Sequence, residues 1–218
     1  MDLAQIKVYR ITHIDNVPHI LQHGITHKRS KNANPDFITI GDISLIDTRG
    51  GKAVIADNGD LLNFGAPSIT LGDFIPFYFG IKMPMLYVIQ HGGNFVESAT
   101  PPKDIVYLAC SLSRILKLSN DCYYSDGHAT DNLTTFYDKS KINDLPTVVD
   151  WDAVKASYWG GQENLNIKRK KQAEFLASND LPPNCIIGFV CYNESAKKKL
   201  QTMGVEEEKI RVIPNAYY

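Results

Sequence analysis

Ile6-Lys7-Val8-Tyr9-Arg10-Ile11-Thr12-His13-Ile14-Asp15-Asn16-Val17-Pro18 carries a strand pattern straight into a helix start. Ile6 to Thr12 reads as a first strand, with Tyr9 and Ile11 on one face. Asp15 suits the N-cap of a helix over about Asn16 to His23, and Gly24 is its stop. Pro18 falls in the first turn, where its missing N–H is harmless. His13 is then placed in the strand-to-helix turn, where side chains and free helix N–H groups can meet a phosphate or a ribose. No GxGxxG or GxxxxGK[ST] occurs in the chain, and regular βαβ alternation is missing. Short strands, few long helices and long loops point to an α+β domain rather than a doubly wound nucleotide fold or a P-loop enzyme.

Outward from this stretch, His27 to Phe37 reads as an exposed loop carrying Lys28, Arg29 and Lys31. Ile38 to Phe64 is rich in Gly and Asp and holds Asp47-Thr48-Arg49-Gly50-Gly51-Lys52. A long, partly ordered excursion is expected there, and such loops are often functional. Phe74-Ile75-Pro76-Phe77-Tyr78-Phe79 is an aromatic strand, with Pro76 arguing for an edge or a bulge. Met85 to Gln90 and Asp104 to Cys110 read as buried strands, and Ser111 or Ser113 can cap a short helix ending near Leu118. Asp121 to Asp131 is turn-rich. Asp150 caps a helix running to Trp159, with Trp151, Val154 and Tyr158 on one face. Ile186 to Cys191 is a strand, Asn193 caps a helix ending at Gly204, and Lys209 to Pro214 is a last strand.

Lys168-Arg169-Lys170-Lys171-Gln172-Ala173-Glu174-Phe175-Leu176-Ala177 sets four cations before one carboxylate inside an apolar run. Alternation from Gln172 to Ala177 suggests a half-buried strand, with Glu174 sharing a face with Gln172 and Leu176. A lone acid there needs a partner, which is either a substrate hydroxyl or a nearby lysine in a structural ion pair.

At 218 residues, with 44% hydrophobic and 22% charged, the chain fits one sizeable domain, residues 1–218. Its formal net charge of -1 gives no global basic signature, so any nucleic-acid contact must come from local patches. Cys110, Cys122, Cys185 and Cys191 form no CxxC and have no histidine at zinc-finger spacing. Reduced thiols are expected. HExxH and paired metal carboxylates are missing, so no metal is expected. Without a signal-peptide pattern or an apolar run near 20 residues, a cytoplasmic protein with no membrane contact is expected. His13, Arg49, Tyr78, His128, Glu174 and the basic run stand out. Each also has a bland reading: a helix cap, a solvated arginine, a core tyrosine, a loop hydrogen bond, a structural ion pair and a solvated face.

Taken in order, several blocks carry more. Tyr9 to Pro18, with Ile20-Leu21 and Gly24-Ile25 after it, resembles the N-terminal signature of the DarT family of DNA ADP-ribosyltransferase toxins. Arg49, Phe74 to Phe79 with Pro84-Met85-Leu86-Tyr87, Ser125-Asp126-Gly127-His128-Ala129, and Lys171-Gln172-Ala173-Glu174-Phe175-Leu176 follow in the family's order. Asp150-Trp151 and Trp159 are also similar. The resemblance covers nearly the whole chain.

It implies an ADP-ribosyltransferase fold: a split mixed β-sheet with flanking helices, long active-site loops and an NAD cleft. It implies transfer of ADP-ribose from NAD+ to a base in single-stranded DNA, with thymine expected and guanine the competitor. Glu174 would be the catalytic glutamate and Arg49 a catalytic arginine in the loop over the cleft. His13, with Thr12 and Asn16, would contact NAD; Tyr78 would line the nicotinamide pocket; His128 would sit near the reacting centre. Lys28, Arg29, Lys31, Lys168, Arg169, Lys170 and Lys171 are candidates for DNA phosphate contacts. The implied partner is a DarG-like macrodomain antitoxin that removes the modification. Transfer to RNA or protein, plain NAD hydrolysis, and a non-catalytic nucleic-acid-binding module remain the alternatives.

Overall fold

The computed structural model describes residues 2–60, 62, 65–93, 96, 98–118 and 121–218. Its strands are β1 (Lys7–His13), β2 (Ala53–Asp57), β3 (Ser68–Thr70), β4 (Ile75–Tyr78), β5 (Ile105–Ser111), β6 (Cys122–Ser125), β7 (Phe136–Tyr137), β8 (Glu174–Ala177), β9 (Ile186–Cys191) and β10 (Ile210–Val212). They form one mixed sheet in the order β10-β9-β5-β1-β4-β8-β6-β7-β2-β3. The pairs β10–β9 and β2–β7 are parallel, and the others are antiparallel.

The sheet has one weak seam. β1 is laddered to β5 along its whole length, from Lys7 opposite Ser111 to His13 opposite Ile105. On its other side β1 meets β4 in register at Tyr9 and Tyr78 alone. Beyond that pair the strands part, and Arg10 Nη1 bridges them by donating to the Pro76 carbonyl at 3.0 Å. Backbone N and O of a strand residue point to the same side, so the N–H that Pro76 lacks also faces the seam. Pro76 therefore sits at a local edge within the sheet. On its far side β4 is paired with β8 from Ile75–Ala177 to Tyr78–Glu174. Phe77 and Phe175, opposite one another in that ladder, are both fully buried. The seam thus opens beside a rigid edge that carries Tyr78 and Glu174.

The helices are α1 (Val17–His23), α2 (Ile43–Gly51), α3 (Pro84–His91), α4 (Leu112–Leu118), α5 (Leu145–Val148), α6 (Trp151–Lys155), α7 (Leu165–Lys171) and α8 (Glu194–Thr202). Several differ from the sequence expectation. Met85 to Gln90 is not a strand but most of α3, started by Pro84 and ended at Gly92 with φ +72°. An apolar run of five, Met85 to Ile89, has no period of its own, and the buried pair Leu86 and Ile89 settles it as helical. Arg49 lies on α2 rather than in a loop. Asp42 caps that helix by accepting from Leu45 N at 3.1 Å. The expected excursion therefore contains α2 and β2, and its positions 61, 63 and 64 lie outside the described residues. Asp15 is not an N-cap: His13 Nδ1 accepts from Asp15 N at 3.2 Å, and Ile14–Asn16 forms a single 3-10 turn ahead of α1. α6 stops at Lys155, short of Trp159. The basic run is the end of α7, so Gln172 precedes β8 instead of sharing its face.

Asn16 fixes the segment that leads into α2. Fully buried, it donates Nδ2 to Thr12 Oγ1 and to the Ile38 carbonyl, each at 2.9 Å, and accepts from Ile38 N at 2.9 Å. Replacing Asn16 by Ala strands the Ile38 backbone, at a cost of about 2 kcal/mol. A fall in Tm of about 4–8 °C is expected in thermal unfolding.

Candidate active site

Glu174 opens β8 and is 1% exposed. Its backbone N donates to Ser125 Oγ at 3.1 Å, and that hydroxyl donates to the Gly127 carbonyl at 2.7 Å. This locks the strand start to the turn after β6. The carboxylate receives Arg49 Nη1 on both oxygens, at 3.0 and 2.8 Å, and Ala129 N at 3.4 Å. The ion pair expected for Glu174 therefore exists, but with Arg49, which is 125 residues away in sequence, and not with a neighbouring lysine.

Arg49 is only partly spent on that contact. Its Nη2 is the one buried side-chain polar atom without a hydrogen-bond partner among the described residues. Buried donors are almost always satisfied, so this atom has a hydrogen bond left to give. Arg49, Arg10, Tyr78, His128, Phe74 and Lys28 line a cleft of about 320 Å³, within the size range of ligand pockets. Burial pushes the Arg10 guanidinium down to about 10, with Arg49 adding to the effect, so it stays cationic at neutral pH. Burial and then the Glu174 charge push the Tyr78 phenol up, so it remains a neutral donor.

His128 stands in the wall between this cleft and a second one of about 610 Å³. The second cleft is lined by Met85, Val88, Leu133, Trp159 and Lys168 among others. Lys168 Nζ lies over the Trp159 indole, 5.5 Å from the ring centroid. Nδ1 of His128 is within 3.1 Å of Thr130 Oγ1. Burial lowers the His128 pKa from its ordinary value, and Arg49 lowers it further against the opposing pull of Glu174. The imidazole is therefore neutral at pH 7 and free to accept a proton. Because the folded-state pKa lies below the unfolded value of about 6.5, this group favours folding above that pH. Its contribution is lost as pH falls through the lowered pKa. A reaction that uses His128 as base is expected to rise through the same window and level off by about pH 7. In a pH–rate series, His128→Ala should remove that limb and slow such a reaction by about 10²-fold or more.

Arg49, Tyr78, His128 and Glu174 thus come together. Thr12, His13 and Asn16 do not join them. Asn16, bonded to Thr12, holds the backbone at Ile38, and His13 lines a third cavity with Ile38, Thr39 and Thr100. Lys28 rims the first cleft, Arg29 is tied to Asp73 and the Gly72 carbonyl, and Lys31 is exposed.

The four candidate phosphate contacts of the basic run are not all solvent-facing. Lys168 is exposed at the second cleft, but Arg169 is buried and bonded to Asp126 at 3.0 Å. Lys170 pairs with Asp150 at 2.9 Å, and Lys171 is buried with Nζ on the Val154 carbonyl at 2.9 Å. Arg10 and Trp159 were in the quoted blocks without being singled out. A cation inside a strand was the available signal for Arg10. Among the described residues, no group of three or more His, Cys, Asp or Glu could hold a metal ion, and no helix is long and apolar enough to cross a membrane. All four cysteines are free and buried.

Residues 9–218 match a family model described as "DarT: ssDNA thymidine ADP-ribosyltransferase". A DNA ADP-ribosyl transferase of Escherichia coli O127:H6 (strain E2348/69 / EPEC) is 30% identical over 195 residues, covering 89% of this chain and 84% of the relative. The structure resembles that of Thermus sp. 2.9 DarT in complex with ADP-ribosylated ssDNA, with a TM-score of 0.79 and 25% identity over 98% of this chain and 96% of that one. The same Thermus protein in complex with carba-NAD+ matches with a TM-score of 0.71 at 25% identity, covering 98% of both chains.

Proposed function

Because this chain belongs to the DarT family of NAD-dependent DNA ADP-ribosyltransferases, we propose that it transfers ADP-ribose from NAD+ to a thymine base of single-stranded DNA. The observation that carries this reading is the Arg49–Glu174 pair, set at the seam of the sheet beside two clefts that share His128. Donor and acceptor would approach from opposite sides and meet at one wall.

NAD+ is assigned to the first cleft. Breaking its nicotinamide–ribose bond sends the bonding pair to the ring nitrogen, which loses its charge, while positive charge develops on the ribose. A buried carboxylate stabilises that charge and orients the ribose hydroxyls. Glu174 is the acid in position to do so. Arg10 and the free Nη2 of Arg49 offer cationic donors to the pyrophosphate, and a bidentate guanidinium suits such an anion. Arg49 is not a general base, since a guanidinium keeps its protons at any working pH.

The acceptor base is assigned to the second cleft, where Trp159 offers a stacking face and Lys168 a phosphate contact. A base in a single strand is already partly unstacked, which lowers the cost of seating it. A ring nitrogen of the base bonds to ribose C1′ and gives up its proton to His128. A chain that modifies the DNA of its own cell requires an activity that removes the adduct. A macrodomain antitoxin of the DarG kind is therefore the proposed partner in a toxin–antitoxin pair.

The base is tested with NAD+ and single-stranded oligonucleotides in which thymine or guanine is the sole nucleobase able to offer a ring N–H. Modification of the thymine series supports the reading. Modification confined to the guanine series replaces thymine by guanine and leaves the site assignment standing.

A further inference from the structure

A cleft of about 600 Å³ lies apart from the two that meet at His128, and nothing in the transfer reaction uses it. Its walls carry Lys7, Lys82, Lys155 and Lys171, with Asn215 and Trp151 among them, and no carboxylate of the described residues lines it. Among the described residues none of these four lysines makes an ion pair with an acid. Lys171 is only 2% exposed, and its ammonium has the Val154 carbonyl as its hydrogen-bond acceptor. Buried lysines without an acid are rare and expensive. Burial and the neighbouring Lys82 charge push its pKa down to about 8. Lys82 itself is held at φ +57°, an unusual conformation for a side chain of its size, with Nζ 5.0 Å over the Tyr218 ring. The cleft thus gathers four lysines that no acid of the described residues pairs with.

Its position relates it to the acceptor side. Lys155 and Ser157 line the lysine cleft, and Trp159 on the same segment lines the acceptor cleft. The two are also linked by hydrogen bonds: Trp159 Nε1 donates to Tyr218 Oη at 2.7 Å, and Tyr218 Oη donates to the Lys82 carbonyl at 2.7 Å. Trp159 and the Tyr218 ring stand edge to face.

We infer that the lysine cleft holds backbone phosphates of the acceptor strand beyond the base that reacts, so that the strand crosses Trp159 and continues over Lys82 toward Lys155 and Lys7. This rests on the assignment of single-stranded DNA as acceptor. It gives the enzyme a sequence-independent grip outside the reacting centre, since phosphate contacts position a strand without reading it.

The test is binding of fluorescent single-stranded oligonucleotides of about 4 and about 12 nucleotides, lengths spanning ordinary single-strand site sizes. It compares the full chain with the Lys7→Ala, Lys155→Ala double variant. Both lysines are exposed, so the variant folds. The full chain should bind the long strand more tightly than the short one. The variant should lose about tenfold on the long strand whatever its base sequence, with a salt slope shallower by about 1.4 for two lost phosphate contacts. Unchanged affinity and slope on the long strand would overturn the track. Loss of NAD+ affinity with the length dependence intact would instead assign the cleft to a dinucleotide pyrophosphate and equally overturn it. Transfer by the unaltered chain, measured separately on the short strand, tests the acceptor assignment itself, so failure of the one is told from failure of the other.

Discussion

Glu174→Gln is expected to lower ADP-ribose transfer by about 10³-fold, the scale seen when one preorganised electrostatic stabiliser is removed from a transition state. The amide keeps an oxygen that can accept from Arg49 Nη1 and fills the same volume, so the 1% exposed position stays packed. What it loses is the negative charge facing the ribose. The defect should therefore fall on bond cleavage itself, so nicotinamide release without any DNA present should drop in parallel with transfer. Full transfer by a folded Glu174→Gln variant would remove Glu174 from the chemistry and return it to the role of a structural partner for Arg49.

Arg49→Lys should cost nearly as much, about 10²-fold to 10³-fold in transfer, although it preserves the charge. Nη1 reaches both carboxylate oxygens, at 3.0 and 2.8 Å, while Nη2 is left buried and unbonded. One guanidinium can thus hold Glu174 with one arm and a ligand with the other. A lysine ammonium is a point charge and cannot span both. The variant is expected to show a raised KM for NAD+ together with a reduced kcat, because the contact to the donor and the alignment of Glu174 fail together. Near-normal kinetics in Arg49→Lys would mean that charge alone suffices there and that the free Nη2 has no ligand.

Much of the fold was legible locally. β1, β5, β9 and β10 follow apolar patterns bounded by turn residues, and Asn193 caps α8 through its side chain on Ala196 N at 2.9 Å. Where the reading failed, the deciding partner was distant. α2 ends in Gly50-Gly51 and reads as a loop, yet Gly72 lets that end approach so closely that a Cβ there would meet the Gly50 carbonyl oxygen at 2.6 Å. The basic run reads as a solvated face because the acids that take Arg169 and Lys170, Asp126 and Asp150, come from other elements. The site divides in the same way. Glu174, Arg49, Tyr78 and His128 stood out in the sequence and took their expected roles from the family blocks, whereas their convergence depends on the β4–β8 register and on the seam at Tyr9 and Tyr78. Arg10 escaped notice because an apolar alternation says nothing about what its polar side reaches, here the Pro76 carbonyl across the seam.

The most direct test of the account is mass spectrometry of thymine-containing single-stranded oligonucleotides after incubation with the folded chain and NAD+. The account predicts a gain of one ADP-ribosyl group on a thymine, with one nicotinamide released for each strand modified, and a gain about 10³-fold slower with Glu174→Gln. Nicotinamide release with no mass gain on any oligonucleotide sequence, or no reaction at all, would contradict it.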